Sequence, residues 1–316
     1  MKKVLHLVLA SIACSLAWSP AVLGADPVPS GDIAKRGLQK RDFPLFKELT
    51  PGVYAFTGTL GPLNGTTTIT TVSLVVVTTE GVVVVDGQND VPQTEAMIGL
   101  IKKLTPQPIK YVVVASDHGD HVNGNAAFKA AFPDVVFLAS PVSQGRLAKT
   151  DHPPTQAVEG SRTIRLGNTD IQILSLGRAH TGGDLLAYLP QSKVLFMSEI
   201  YLHHVFPALT SGYPTEWTEV IKKAQAMDVS WYVAGHGFID DAATMKRDLQ
   251  KSLDALEYVI AEGKRLHAAG EPCESRTNCP AVQKAAWGRY GDLTLREMQA
   301  PIALSKVYEE IEGRLP

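Results

Sequence analysis

The chain has 316 residues, of which 45% are hydrophobic and 20% charged, the balance of a globular protein with a sizeable core. Lys and Arg number 30 against 32 Asp and Glu, and no basic run occurs, which excludes a nucleic-acid-binding surface built on phosphate contacts. No short repeat or low-complexity segment is present, so a solenoid is excluded as well.

Residues 1–25 have the make-up of an export signal. Lys2 and Lys3 precede an apolar stretch over 4–18, and Val22-Leu23-Gly24-Ala25 offers small residues for cleavage. His6 and Pro20 interrupt the apolar run, which falls short of the ~20 residues a membrane span needs, so no stable anchor is expected. Cleavage would leave 28 basic residues against 32 acidic ones, a net charge of −4, in a secreted or periplasmic protein. Cys14 would depart with the signal. Cys273 and Cys279, flanked by Pro272, Asn278 and Pro280, then read as a local disulfide.

The arm over 26–48 is rich in Pro, Gly and charge, with a short helix expected near 33–40. Strands follow over 53–57, 69–78 and 81–86, each β-branched and bounded by turn residues. Between the first two lies a glycine-rich loop, 58–68, which is either a surface turn or a flap over a pocket. A helix over 91–104 carries Ala96, Met97, Leu100, Ile101 and Leu104 at helical spacing. Strands are expected at 111–115 and 135–139, hairpins at 161–166 with 171–176 and at 185–189 with 194–197, and a short strand at 231–234. Helices are expected over 215–227 and 240–266, and in the tail beyond the cysteines. Interleaved strands and helices in two successive blocks argue for α/β layers.

Several of these strands end in polar turns. Tyr111–Ala115 leads into Ser116, Asp117, His118, Gly119, Asp120 and His121. The 171–176 strand leads to His180-Thr181-Gly182-Gly183-Asp184, the 194–197 strand to Ser198-Glu199, and the 231–234 strand to Gly235-His236-Gly237. Crowded imidazoles and carboxylates are costly unless a cation orders them, and glycines allow backbone to approach closely. Strand ends that meet at one sheet edge would make such a site.

These segments, SDHGDH, GRAHTGGD, LFMSE and AGHG in that order, resemble the motif series of the metallo-β-lactamase superfamily over about 49–240. The resemblance implies an α/β fold, an αββα sandwich of two mixed sheets flanked by helices; residues 241–316, beyond it, are expected to pack on the same domain as a helical extension. It implies one zinc on His118 and His180 and a second on Asp120, His121 and His236, with Glu199 where a bridging aspartate is usual. The implied activity is hydrolysis of a small molecule: metal-bound hydroxide, oriented by Asp120, attacks an ester, lactone, lactam or related bond.

Two positions depart from the family pattern. Ser116 stands where the first motif histidine belongs, so one metal is expected to bind tightly and the other weakly or not at all. Glu199 is one methylene longer than aspartate. His203 and His204 follow it, either as substitute ligands or as surface histidines, and Asp117 is either a carboxylate that orients a ligand or a solvated one. A non-catalytic or single-metal binding protein, and a mononuclear iron oxygenase acting on a thiol-derived substrate, are the rival readings. The helices after 240 either cap the pocket or form a dimer face.

Overall fold

The β-branched runs pair into two sheets because several of them are apolar on both faces and must be covered twice. The computed structural model describes residues 33, 36–59 and 69–316; the signal segment and most of the 58–68 loop lie outside the described residues. The first sheet comprises β1 (Leu45–Thr50), β2 (Val53–Thr57), β3 (Val72–Val77), β4 (Val82–Val85), β5 (Ile109–Val114), β6 (Val136–Ala139) and β7 (Gln156–Ala157), in that spatial order. The second comprises β8 (Ser161–Leu166), β9 (Thr169–Leu174), β10 (Leu186–Leu189), β11 (Val194–Phe196) and β12 (Trp231–Val233). Both sheets are mixed: β4 to β7 run parallel, β11 and β12 run parallel, and the other pairs are antiparallel.

Helices cover the outer faces. They are α1 (Val91–Leu104), α2 (Gly119–Val122), α3 (Asn125–Ala131), α4 (Pro141–Leu147), α5 (Pro214–Gln225), α6 (Ala242–Ala268) and α7 (Arg296–Ile311). In β4, Val83 and Val85 face the second sheet, where they meet a core that includes Ile171, Ile173 and Phe196. Val82 and Val84 point the other way, to Met97 and Ile101 of α1 and Phe128 of α3. On the far side Trp217 and Val220 of α5, Leu249 and Val259 of α6, and Leu304 of α7 cover Leu195 and Tyr232 of the second sheet. This is the αββα sandwich expected.

Strand direction decides where the polar ends go. The carboxyl ends of β4 and β5 share one edge of the first sheet because the two run parallel, and antiparallel β3 brings its amino end to the same edge. β11 and β12 do likewise in the second sheet. Hydrogen bonds then join the sheets at that edge: Val72 N donates to Gly235 O (2.8 Å) and Leu185 N to Ala115 O (3.0 Å).

Some expectations need correction. The arm does not run to residue 48, because Leu45–Thr50 pairs with β2 as an edge strand; the polar residues of KELT suit a half-exposed edge. Among the described residues the helix near 33–40 is replaced by turns and a 3₁₀ turn at Lys40–Asp42. The long helix begins at Ala242, where the Asp241 side chain accepts from Thr244 N as its cap. The tail is not helical throughout: 3₁₀ turns at Pro280–Lys284 and Gly288–Tyr290 precede α7. Cys273 and Cys279 are joined, with the sulfurs 2.02 Å apart.

Gly235 ends β12 against the 3₁₀ turn Ser198–Ile200, where a Cβ would lie 2.4 Å from the Ser198 carbonyl carbon. Gly235→Ala is therefore expected to destabilise the protein by ~1–3 kcal/mol through overpacking. A lowered urea midpoint with an unchanged slope checks this.

Candidate metal centre

The junction of the two sheets gathers the strand-end residues into two overlapping groups. Asp120, His121, Glu199 and His236 form one, and His118, His180 and Glu199 the other; in each group the ligand-type atoms lie within 4.8 Å of one another. Glu199 belongs to both because its two oxygens diverge. Oε1 lies 3.2 Å from His236 Nε2, and Oε2 lies 2.9 Å from His118 Nδ1 and 3.3 Å from His180 Nε2. Asp120 Oδ2 is 3.3 Å from His236 Nε2 and 3.6 Å from His121 Nε2.

The residues behind this cluster set which ring nitrogens face inward. His236 Nδ1 donates to the Thr70 carbonyl at 2.7 Å, and His121 Nδ1 lies 3.0 Å from Asp86 Oδ2. The Nε2 atoms of both rings therefore point at each other, 3.3 Å apart, beside Asp120 and Glu199. Two imidazole lone pairs and two carboxylates converging in a buried space call for a cation, and the donors have the nitrogen and oxygen chemistry of a transition-metal site. His180 is less well supported: neither its buried Nδ1 nor that of His121 makes an aligned hydrogen bond among the described residues, but His121 Nδ1 has the Asp86 carboxylate 3.0 Å away and His180 Nδ1 has no such group.

Electrostatics point the same way. Burial pushes the His121 imidazole down, but Asp120, Asp86 and Glu199 together outweigh it and carry the ring to about 10. Burial likewise opposes the charge on His118, yet the Glu199 carboxylate raises it to about 8. For His180 burial wins and the ring is pushed down. Burial would raise the Glu199 carboxyl; His180, His118 and His236 hold it well below the usual range instead. Asp184 anchors the turn that presents His180, accepting from Thr181 N (2.6 Å) and the Thr181 hydroxyl (2.8 Å). Its burial pushes it up to about 7 despite those bonds.

Ser116 is fully buried, and its hydroxyl donates to Glu199 Oε2. It thus touches the shared carboxylate. Asp117 pairs with Arg146 of α4, 3.2 Å away, and its charge adds to the field that raises His118. His203 and His204 stand apart from the centre: both bond Asp248 Oδ2, at 3.1 and 2.9 Å, and His203 is buried rather than on the surface. Neither substitutes for the missing histidine: both rings are held by Asp248 of α6.

Asp86 was missing from the sequence expectations. It receives Ala115 N (2.7 Å), Ser116 N (3.3 Å) and the Ser198 hydroxyl besides facing His121, and it sits at φ 62°. The signal was present: Val82-Val83-Val84-Val85-Asp86-Gly87 is one more apolar strand that ends in an acid and a glycine. Thr70 carries no such mark, since it acts through its backbone carbonyl.

Fold and cluster together define an αββα sandwich with a candidate metal centre at the junction of its sheets. The sequence profile of the metallo-beta-lactamase superfamily matches residues 65–236, and the chain belongs to that superfamily. A metallo-beta-lactamase type 2 of Bacillus sp. (strain 170) is 24% identical over 61% of this chain and 74% of its own. A hydroxyacylglutathione hydrolase of Brucella anthropi is 24% identical over 57% of this chain and 67% of its own. Among solved structures, a metallo-beta-lactamase from Pontibacter korlensis superposes with a TM-score of 0.60 at 22% identity, covering 67% of this chain and 98% of that one. These relatives are hydrolases.

A metal takes imidazole in its neutral form, so the protons that His118 and His121 keep to about 8 and about 10 must leave on binding. Affinity for a divalent cation is accordingly expected to climb as pH rises from 6.5 to 9, read by competition with a chelator. A flat profile would contradict this electrostatic picture. Ser116→His should add a ligand beside Glu199 and raise the metal bound per chain, whereas Ser116→Ala should not; elemental analysis of the two variants decides.

Proposed function

We propose that this protein is a zinc-dependent hydrolase of small molecules, acting on an ester, lactone, lactam or related bond. The observation that carries the reading is the inward convergence of His121 Nε2, His236 Nε2, Asp120 and Glu199, with the outer nitrogen of His236 donating to Thr70 O and that of His121 facing Asp86. Zinc suits this donor set of imidazole and carboxylate without thiolate. His121, Asp120 and His236, with one oxygen of Glu199, would hold a tightly bound ion. His118 and His180, with the other oxygen, would hold a weaker second one, since Ser116 adds no imidazole and His180 lacks an outer partner.

Zinc held there would supply Lewis acidity and bring the pKa of water to ~7. The chain's own part is to orient and to move protons. Asp120 is partly exposed to the cavity and its Oδ2 accepts from the Thr71 hydroxyl at 3.5 Å, which leaves the other oxygen the one suited to receive a proton from the attacking water. The hydroxyl of that water joins the electrophilic carbon, the bond to the leaving group breaks, and the proton passes from Asp120 to the departing atom. Asp86, Thr70 and Ser116 keep their neighbours in register and touch no substrate.

Zinc reconstitution followed by elemental analysis and an ester, lactone and lactam panel tests the proposal. Metal-loaded protein should hydrolyse at least one class, and Asp120→Asn should lower kcat/KM by ~10²–10⁴. A protein that binds no metal after reconstitution overturns it; a protein that binds metal and turns over nothing points to a binding role. One observation favours a second reading. His118, His180 and Glu199 have the two-histidine, one-carboxylate composition of non-haem iron oxygenases. Oxygen uptake by anaerobically iron-loaded protein, with no hydrolysis in the zinc form, would select it.

A further inference from the structure

The cavity in front of the centre has a volume of about 370 Å³, and its inner end is formed by His118, Asp120, His180, Glu199 and His236. Away from the centre its walls are mostly apolar, with Ile69, Leu202, Val205, Leu295 and Met298, and the polar residues among them, Thr210 and Gln299, are uncharged. Among the described residues no lysine or arginine lines it. A carboxylate at the far end of a substrate, against the Leu295 and Met298 wall and away from the histidines of the centre, would lose its hydration with no lysine or arginine beside it among the described residues.

The outer wall is a deliberate construction of the C-terminal extension. Phe206 N donates to Thr294 O (2.9 Å) and Thr294 N to His204 O (3.1 Å), which joins the loop after Glu199 to the approach to α7. Leu295 then takes a left-handed backbone conformation at φ 64°, unusual for a leucine, and the first turn of α7 follows with Met298 and Gln299. Met298 is 57% exposed, a large apolar side chain left uncovered at the cavity rim. Gln299 Oε1 is buried with no hydrogen-bond partner among the described residues. It is suited to accept from a neutral hydroxyl or amide.

We propose that the substrate is uncharged and carries an aliphatic arm beside the scissile bond, and that Leu295 and Met298 of the C-terminal extension set this specificity. The proposal rests on the hydrolase reading for its turnover but not for its binding. Against Met298 and Leu295 each added methylene gains area removed from water, whereas a terminal carboxylate forfeits it. Gln299 offers hydrogen bonding without charge, so a terminal hydroxyl or amide is tolerated where a carboxylate is not.

Two measurements test it. The first is calorimetric binding of 1-butanol, 1-hexanol and 6-hydroxyhexanoate to the full chain without metal. Affinity should rise about fourfold per methylene over the alcohols, and the carboxylate should bind at least about tenfold more weakly than hexanol. The second is hydrolysis by the zinc-loaded protein of p-nitrophenyl hexanoate and of mono-p-nitrophenyl adipate, the same arm ended by a carboxylate. The neutral ester should be preferred at least about tenfold, and Met298→Arg, at an exposed position that tolerates charge, should shift the ratio toward the adipate by about tenfold. Equal or better use of the anionic probe in either measurement, or a ratio unmoved by Met298→Arg, overturns the proposal. Selective alcohol binding without any turnover would instead overturn the hydrolase reading and leave this one standing.

Discussion

The carboxylate of Asp86 is the point on which the centre hangs. It is buried at the end of β4, accepts from the backbone of Ala115 and Ser116 and from the Ser198 hydroxyl, and faces His121. One group thereby links the ends of β4 and β5 in the first sheet to the turn after β11 in the second. Without it the 116–121 turn would lose its register and His121 its inward-facing nitrogen. The backbone at both ends of this link is unusual, with Asp86 at φ 62° and Ser198 at φ 47°. Backbone conformations of this kind persist only where the surrounding packing over-determines them.

Glu199 depends on that link. Its longer side chain is accommodated by the 3₁₀ turn Ser198–Ile200, which lets the two oxygens serve different histidines. Ser116, in a position where an imidazole would reach the same space, donates to one of those oxygens. The substitution at 116 and the extra methylene at 199 are thus in contact. The result is an asymmetric centre: behind His236 stands the Thr70 carbonyl and behind His121 the Asp86 carboxylate, 3.0 Å away, whereas among the described residues His180 has neither behind its outer nitrogen. Metal affinity follows such outer support as well as the ligand list.

The C-terminal extension is part of the same body. α6 and α7 bury their apolar faces on the second sheet, and the segment leading into α7 closes one side of the cavity. Of the two roles open to these helices from sequence, capping the pocket is the one their placement serves. The His203, His204 and Asp248 cluster fixes α6 against the loop after Glu199, with Lys251 3.0 Å from the other Asp248 oxygen. Those interactions position the wall rather than the metal ligands.

The linear sequence already determined the layered α/β fold, since valine-rich runs separated by amphipathic helices can only be buried between two covered faces. It also marked His118, Asp120, His121, His180, Glu199 and His236, because each follows an apolar strand and stands beside glycine or another polar residue. What it left open were contacts between residues distant in the chain. Thr70 acts through a carbonyl that any residue possesses, and His203 meets Asp248 only because α6 folds back beside the loop. Asp117 finds Arg146, and Met298 reaches the rim of a cavity whose other end is formed by residues 118–120. Chain folding alone decides such meetings, because side-chain type and spacing record what a strand end can offer and not what will stand opposite it.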